Sequence, residues 1–416
     1  MRWKIEDTAE RAEFRAAFKA WLGEVLPEGW IAALEADDDD AFAKAREGFN
    51  WFGWMGTIGR TPYAAPLWPK EYGGMSGEAW MQQLVREELV SHRLPTFGVN
   101  LLGVGLAGPT IIAHGTEAQK ERYLAKILSG EEIWCQLFSE PGSGSDLASL
   151  GTRAVRDGDE WIVNGQKVWT SIASLSTFGM LLARSNSDVP KHEGLTYLIV
   201  DMKSPGVEVR PLRQITGSAD FNEVFFTDVR VPDTNRVGDV GDGWRAARTT
   251  LMNERVALSG LSIDAASLTG GVRRDPWEAL LSGVADRSNP IVRQELARIY
   301  IATEVKEITA FRSSSARLKG QVPGAEGGVS KVFNAELNQY KSAFAMNAAG
   351  MSSIAWEDSQ GADGGARSTA FLRARANTIE GGTSEVLRNQ MAERILGLPR
   401  EAEVDKGVSW AQTRRS

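Results

Sequence analysis

A chain of 416 residues is longer than one ordinary compact domain, and its 42% hydrophobic and 24% charged residues are those of a globular protein with a sizeable core. The formal net charge of −7 argues against nucleic-acid or anionic-membrane partners, which need a basic surface, but a small anionic ligand needs only a few local Arg or Lys. The single cysteine, Cys135, excludes an internal disulfide, and with three histidines in the whole chain a buried structural thiol is favoured over a nucleophile.

The N-terminal MRWKIEDTAE lacks the apolar stretch of a signal peptide, and no run of 18 apolar residues predicts a membrane span. A cytoplasmic protein is the resulting expectation. Phe14, Phe18, Trp21, Leu22 and Val25 recur at helical spacing, and Pro27 ends that pattern. The acidic run Asp37 to Asp40 reads as a solvated loop or helix start rather than a metal site. Residues 59–77 are rich in Pro and Gly and read as loop, and helical patterns resume near 78–94 and 117–129. Leu101, Leu102 and Val104 could line a pocket or be core.

From about 132 the period changes. EWIV, Asn164-Gly165 and QKVW read as a hairpin with a type I′ turn, and TYLIVDM, GVEVRPL and EVFFTDVRVP read as further strands. After about 242 helical patterns cover roughly 243–270, 289–318 and 331–350. EDSQGADGGARS (357–368) reads as a Gly-rich loop, and a last helix starts near Ser384 with Thr383 as its N-cap. The order is helical, then β, then helical: 1–131, 132–238 and 239–416.

Four segments could carry chemistry. SEPGSGSD (139–146) is a turn able to present backbone N–H groups and hydroxyls to an anionic or heterocyclic ligand, or an ordinary surface turn. VNGQKVWTS (163–171) ends in Trp169, Thr170 and Ser171, either an aromatic plane with donors or a core Trp at a strand end. Glu254, among Leu251, Met252, Val256 and Leu258, is a candidate for a raised pKa and general-base work, or a partner of Arg255. IEGGTSEVLRNQMAERILGLP (379–399) places two Gly before a helix N-terminus, with Glu380 as a second carboxylate.

In order and spacing, SEPGSGSD, NGQKVW and the closing IEGGTSE…RN…AERILG resemble the acyl-CoA dehydrogenase family, over the whole chain. The resemblance implies an α+β fold: an N-terminal helical domain, a middle β domain that binds flavin, and a C-terminal four-helix bundle. It implies FAD lined by Gln136, Phe138 and Ser139, with Gly144 and Ser145 near the flavin and the CoA arm. Trp169 would pack on the flavin and Ser171 bond near N5, while Gly382, Thr383 and Glu385 fall where the family contacts the cofactor. Arg287 matches the start of the family's Arg-x-x-Phe-Gly segment, but here the run is Arg287-Ser288-Asn289-Pro290.

The base is assigned by resemblance to Glu254, which precedes Arg255 as in isovaleryl- and long-chain-type members, with Glu380 the lesser candidate. Ser145, Arg255 and Gly381 would meet the substrate. The implied reaction is FAD-dependent α,β-dehydrogenation of an acyl-CoA to the trans-2-enoyl-CoA, with electrons passed to an electron-transfer flavoprotein. A homodimer or homotetramer is implied, or an α2β2 assembly with a paralogue. An acyl-CoA oxidase and a non-catalytic subunit are the alternatives. Branched or steroid-derived chains are the expected acyl groups, and no metal is expected.

Overall fold

The computed structural model describes residues 6–95, 100–258, 280–281, 284, 286–318, 327–354, 365–402 and 405–413. The chain divides into two compact units. The larger comprises Asp7–Arg213, Ala219–Gly271 and Ala402–Ser416, and the other Met1–Glu6, Gln214–Ser218 and Val272–Glu401.

The larger unit begins with helices α1 (Ala9–Val25), α2 (Trp30–Glu35), α3 (Asp39–Ala45), α4 (Trp51–Gly59), α5 (Ala79–Ser91), α6 (Gly108–His114) and α7 (Glu117–Ser129). Thr8 caps α1 by accepting from the Arg11 N–H, and α1 buries Phe18 and Leu22, as its spacing predicts. The acidic run is a helix start: Asp38 accepts from the N–H groups of Asp40 and Ala41 and so caps α3. Leu101 and Val104 are buried, and Leu102 packs against the core that holds Val104, Leu106 and Ile111. They belong to the core.

An eight-stranded sheet follows: β1 (Trp134–Leu137), β2 (Arg153–Asp157), β3 (Glu160–Ser171), β4 (Phe178–Arg184), β5 (Leu195–Asp201), β6 (Val207–Leu212), β7 (Phe221–Pro232) and β8 (Arg236–Val237). Its order is β6-β7-β3-β2-β4-β5-β8, with β1 parallel to β4. Both faces of β4 and β5 are covered. Met180, Leu182, Tyr197 and Ile199 meet the core shared with α7, while Leu181, Ala183, Leu198 and Val200 meet Val163, Val224 and Val229. This double burial explains why these strands read as near-continuous apolar runs.

The structure corrects the hairpin expected at Asn164-Gly165. β3 runs unbroken from Glu160 to Ser171, and the turn before it is Gly158-Asp159, between the paired Asp157 and Glu160. Gly158 takes φ 61°, which suits the first central position of a two-residue turn. Asn164 instead exchanges hydrogen bonds with Asp228 across a register shift between β3 and β7. At Gly165 a Cβ would come within 2.7 Å of Thr152 Cα, so close backbone approach requires the glycine.

The sheet leads into α8 (Gly243–Leu258), whose Ala246 and Ala247 enter the core. The rest of the helical stretch expected to 270 lies outside the described residues. The smaller unit contains α9 (Pro290–Leu318), α10 (Gly327–Ala349), α11 (Ala366–Ala374) and α12 (Ser384–Arg394). Val284, Leu296, Ile299 and Phe344 form a small core there. Of the loop expected over 357–368, residues 357–364 lie outside the described set, and 366–368 form the first turn of α11. The fold is thus an N-terminal helical domain, a middle β-sheet domain and a C-terminal helical domain.

Candidate active site

In the larger unit, β1 delivers Gln136, Phe138 and Ser139 to the start of the Ser/Gly loop. Gln136 is half-buried and its Nε2 donates to Glu254 Oε2 at 3.2 Å. The two residues are 118 positions apart in the chain. Helix α8 holds Glu254 in place one turn after Thr250. The buried Thr250 hydroxyl bonds Thr110 of α6 at 2.9 Å and the Tyr197 hydroxyl of β5 at 3.1 Å. Burial pushes the Tyr197 phenol well above its usual range, so it stays a neutral link. Phe138 packs edge-on against Tyr197, with ring centroids 5.9 Å apart. Arg255 follows Glu254 on α8, and its side chain lies outside the described residues.

The loop itself is open on one side and braced on the other. Gly144 and Ser145 are exposed, and a Cβ built at Gly144 would meet nothing within 4 Å. Glu140, at the start of the loop, belongs to a buried ion pair that the sequence reading missed. Lys167 on β3 is 0% exposed, and its Nζ donates to Phe138 O and to Glu140 Oε1, both at 2.9 Å. Glu140 also accepts from the N–H groups of Gly151 at 2.7 Å and Thr152 at 2.8 Å. Burial pulls the Lys167 ammonium down to about 8. Burial also works against the Glu140 carboxylate, but Lys167 and the loop N–H groups together hold it below its usual range. One signal was available: Lys167 shares the parity of Trp161 and Val163 on the strand, an inward position for a charge.

The strand end is strained. Trp169 takes φ 61° and Ile172 φ 54°, both left-handed, and the pairing of β3 with β7 shifts register between Lys167 and Thr170. With the shift Trp169 faces outward, 59% exposed, and its ring meets Phe221 in a T-shaped pair with centroids 5.9 Å apart. Of the two readings open for Trp169, a core residue is excluded. Ser171 is half-buried between these two residues. Cys135, one residue before Gln136, is fully buried, and desolvation pushes its thiol up to about 12. It is structural, as the sequence suggests.

The smaller unit carries the other candidates. Glu380 accepts from both Arg373 Nη atoms, at 3.2 and 2.8 Å, and from Asn377 Nδ2 at 2.7 Å. Gly381 and Gly382 follow at φ 62° and 92°, a conformation that disfavours any side chain, and Lys331 Nζ donates to Gly382 O. Thr383 caps α12 by accepting from the Val386 N–H, and Glu385 is exposed in its first turn. Arg287 is exposed and donates to Leu281 O. Where Phe-Gly was expected, Asn289 accepts from the Ile291 N–H and Pro290 opens α9, so the departure is a helix start. Among the described residues no cluster could hold a metal ion, and no helix is long and apolar enough to cross a membrane.

Three domain families match in succession: the acyl-CoA dehydrogenase N-terminal domain over residues 8–131, the middle domain over 135–229 and the C-terminal domain over 241–396. Acyl-CoA dehydrogenase IpdE1 of Mycobacterium tuberculosis is 38% identical over 94% of this chain and 98% of its own length. The chain belongs to the acyl-CoA dehydrogenase family. It is thereby placed among oxidoreductases. Acyl-CoA dehydrogenase FadE34 of the same organism is 42% identical over 82% of this chain, which spans only 45% of FadE34. Among solved acyl-CoA dehydrogenase structures, a "Tcur3481-Tcur3483 steroid ACAD" superposes with TM-score 0.74 at 30% identity, covering 96% of this chain and all of that one. The ChsE4-ChsE5 complex from Mycobacterium tuberculosis gives TM-score 0.71 at 29% identity, with the same coverage.

Proposed function

We propose that this chain is an FAD-dependent acyl-CoA dehydrogenase that forms a trans-2-enoyl-CoA, with Glu254 as its base and an electron-transfer flavoprotein as electron acceptor. The observation that carries this is the Gln136–Glu254 hydrogen bond. It puts the candidate base beside the strand that leads into the Ser/Gly loop. Glu380, the lesser candidate, has both of its oxygens engaged by Arg373. A carboxylate held in a bidentate guanidinium pair must give up that pair to accept a proton.

The donor set fits a flavin. An outward-facing indole at Trp169, hydroxyls at Ser139, Ser145 and Ser171 and the Gln136 amide offer one aromatic plane and neutral hydrogen-bonding groups. In the larger unit FAD would be held by Gln136, Phe138, Ser139, Gly144, Ser145, Trp169 and Ser171; by the family resemblance Gly382, Thr383 and Glu385 are further candidate cofactor contacts, and Arg287 is a candidate contact for the FAD of an adjacent subunit. When bound, FAD supplies the two-electron oxidant for the β carbon. Glu254 takes the α proton at a carboxylate oxygen, and Gln136 keeps that carboxylate oriented. The α C–H electron pair becomes the new double bond, and the β C–H pair would depart as hydride to the flavin. The N–H of Gly381 is the candidate donor to the thioester oxygen, where negative charge develops as the α proton leaves. Ser145 and Arg255 are the remaining candidate substrate contacts.

A branched or steroid-derived acyl group is the proposed substrate class, supported by the name of the solved relative. A second reading, one chain of an α2β2 pair, is supported by the helix start that replaces Phe-Gly after Arg287 and by the two-component names of the solved relatives. We propose domain limits of 1–131, 132–238 and 239–416. The test is the anaerobic flavin spectrum of the purified chain with a panel of acyl-CoAs, alongside native mass and flavin per chain. Bleaching by a thioester supports the reading. Purification without flavin, regained with a paralogue, supports the paired assembly, and turnover with oxygen as sole acceptor would make it an oxidase.

A further inference from the structure

The region matched to the family ends at residue 396, yet the chain beyond it packs on the larger unit. Residues 405–413 lie against the segment 187–191. Trp410 N–H donates to Val189 O and Ala411 N–H to Ser187 O, both at 2.9 Å. Trp410 is buried, and its Nε1 donates to Ser149 O at 3.1 Å. Ser149 belongs to the turn that directly follows SEPGSGSD.

Trp410 also covers a buried cation. Arg184, at the end of β4, is 2% exposed, and its guanidinium lies 4.8 Å from the Trp410 ring centre. Arg184 donates to Ala148 O, to Leu150 O at 3.4 Å and to Lys191 O at 2.7 Å. The carbonyls of 148, 149 and 150 are thus all gripped by Arg184 or by the indole that stacks on it. Lys191 adds a second tie, bonding Asp146 at 3.1 Å and Asp405 at 2.7 Å. Asp146 is the last residue of the loop, next to exposed Ser145. A cation stacked on an indole away from water is held more strongly than an exposed one, so the ring sets where Arg184, and hence the turn, can sit.

We propose that Trp410 is a positioning residue for acyl-CoA binding, the anchor of a strap (405–413) that fixes the C-terminal end of the Ser139–Asp146 loop. The inference rests on reading that loop as a ligand contact. The strap reaches the loop through the 148–150 turn and through Lys191, at the end that carries Ser145, so it is assigned to binding rather than to the Glu254 chemistry. Its removal should raise KM and leave kcat nearly unchanged.

The experiment uses Trp410→Ala, Trp410→Phe and Asp405→Asn in the full-length protein, read by backbone hydrogen exchange and by steady-state kinetics. Trp410→Ala should speed exchange in peptides covering 142–151 by about tenfold or more while β4 and β5 stay protected. In the same variant KM should rise about tenfold, with kcat within about twofold. Trp410→Phe keeps a ring over Arg184 and should recover most of both effects, and Asp405→Asn should show a smaller effect of the same kind without risk to folding. Unchanged exchange over 142–151 in Trp410→Ala overturns the strap. Faster exchange with unaltered KM leaves the strap's mechanics intact but overturns its role in binding.

Discussion

Gln136 Nε2 donates to Glu254 Oε2 across 3.2 Å, joining the strand that enters the Ser/Gly loop to the helix that follows the sheet. An amide donor aims a carboxylate without adding formal charge. Replacing Gln136 by Ala should lower kcat/KM about tenfold, the order expected for losing one orienting hydrogen bond. Thermal stability should stay near that of the parent, and the rate is compared per bound flavin. Steady-state kinetics with the best thioester of the panel checks this, and an unaltered kcat/KM would show that the contact has no catalytic use.

The Lys167–Glu140 pair should matter most to stability. Lys167→Met leaves a largely buried Glu140 without its cation and should cost on the order of 3 kcal/mol. Urea unfolding at neutral pH measures it, and a cost below about 1 kcal/mol would mean that Glu140 is served well enough by the Gly151 and Thr152 N–H groups.

The same pair has a pH signature. Glu140 is held below its ordinary 4.5, so its contribution is complete above that value and is lost as pH falls through the folded one. Lys167 runs the other way. Its folded value of about 8 lies below the ordinary 10.5, so between them the unfolded chain holds the extra proton and stability rises with pH. The stability gap between the parent and Lys167→Met should therefore widen from pH 8 to 10.5. A gap that narrows over that window contradicts the burial of Lys167.

Much of this was legible in the sequence. The spacing of Phe18 and Leu22, the hydroxyl of Thr383 before α12 and the apolar runs of β4 and β5 each state their structure locally. The failed hairpin and the two open readings of Trp169 trace to irregularity in β3. Asn164-Gly165 is good turn chemistry, but the strand needs that glycine because Thr152 crosses closely. Alternation carried on from Trp161 and Val163 puts Trp169 inside, and only the register shift after Lys167 turns it out. The site contacts were not legible at all. Gln136 and Glu254 meet only after the whole sheet has formed, and neither local pattern carries a mark of the other.

Trp169 should show a trade between stability and function. The ring is mostly exposed and the backbone is left-handed, which costs a non-glycine residue of order 1 kcal/mol. Trp169→Gly should therefore unfold at the same temperature or a slightly higher one, yet retain less flavin after gel filtration. Thermal denaturation and the flavin-to-protein absorbance ratio report the two halves separately. Marked destabilisation would mean that the indole packs in the fold after all.

Cys135 should be inert. A fully buried thiol pushed up to about 12 has almost no thiolate at neutral pH. Aromatic disulfide reagents should react with none of it in the native protein and with one equivalent per chain in denaturant. Rapid native labelling would place the thiol at an accessible site.

The most direct test of the central claim compares flavin reduction in single turnovers of Glu254→Gln and Glu380→Gln, under anaerobic conditions with saturating acyl-CoA. With Glu254 as base, Glu254→Gln should slow reduction by about a thousandfold or more, and Glu380→Gln by less than about tenfold, at equal flavin content. The reverse ranking, or fast reduction in Glu254→Gln, would contradict the assignment and move the base to the turn before α12.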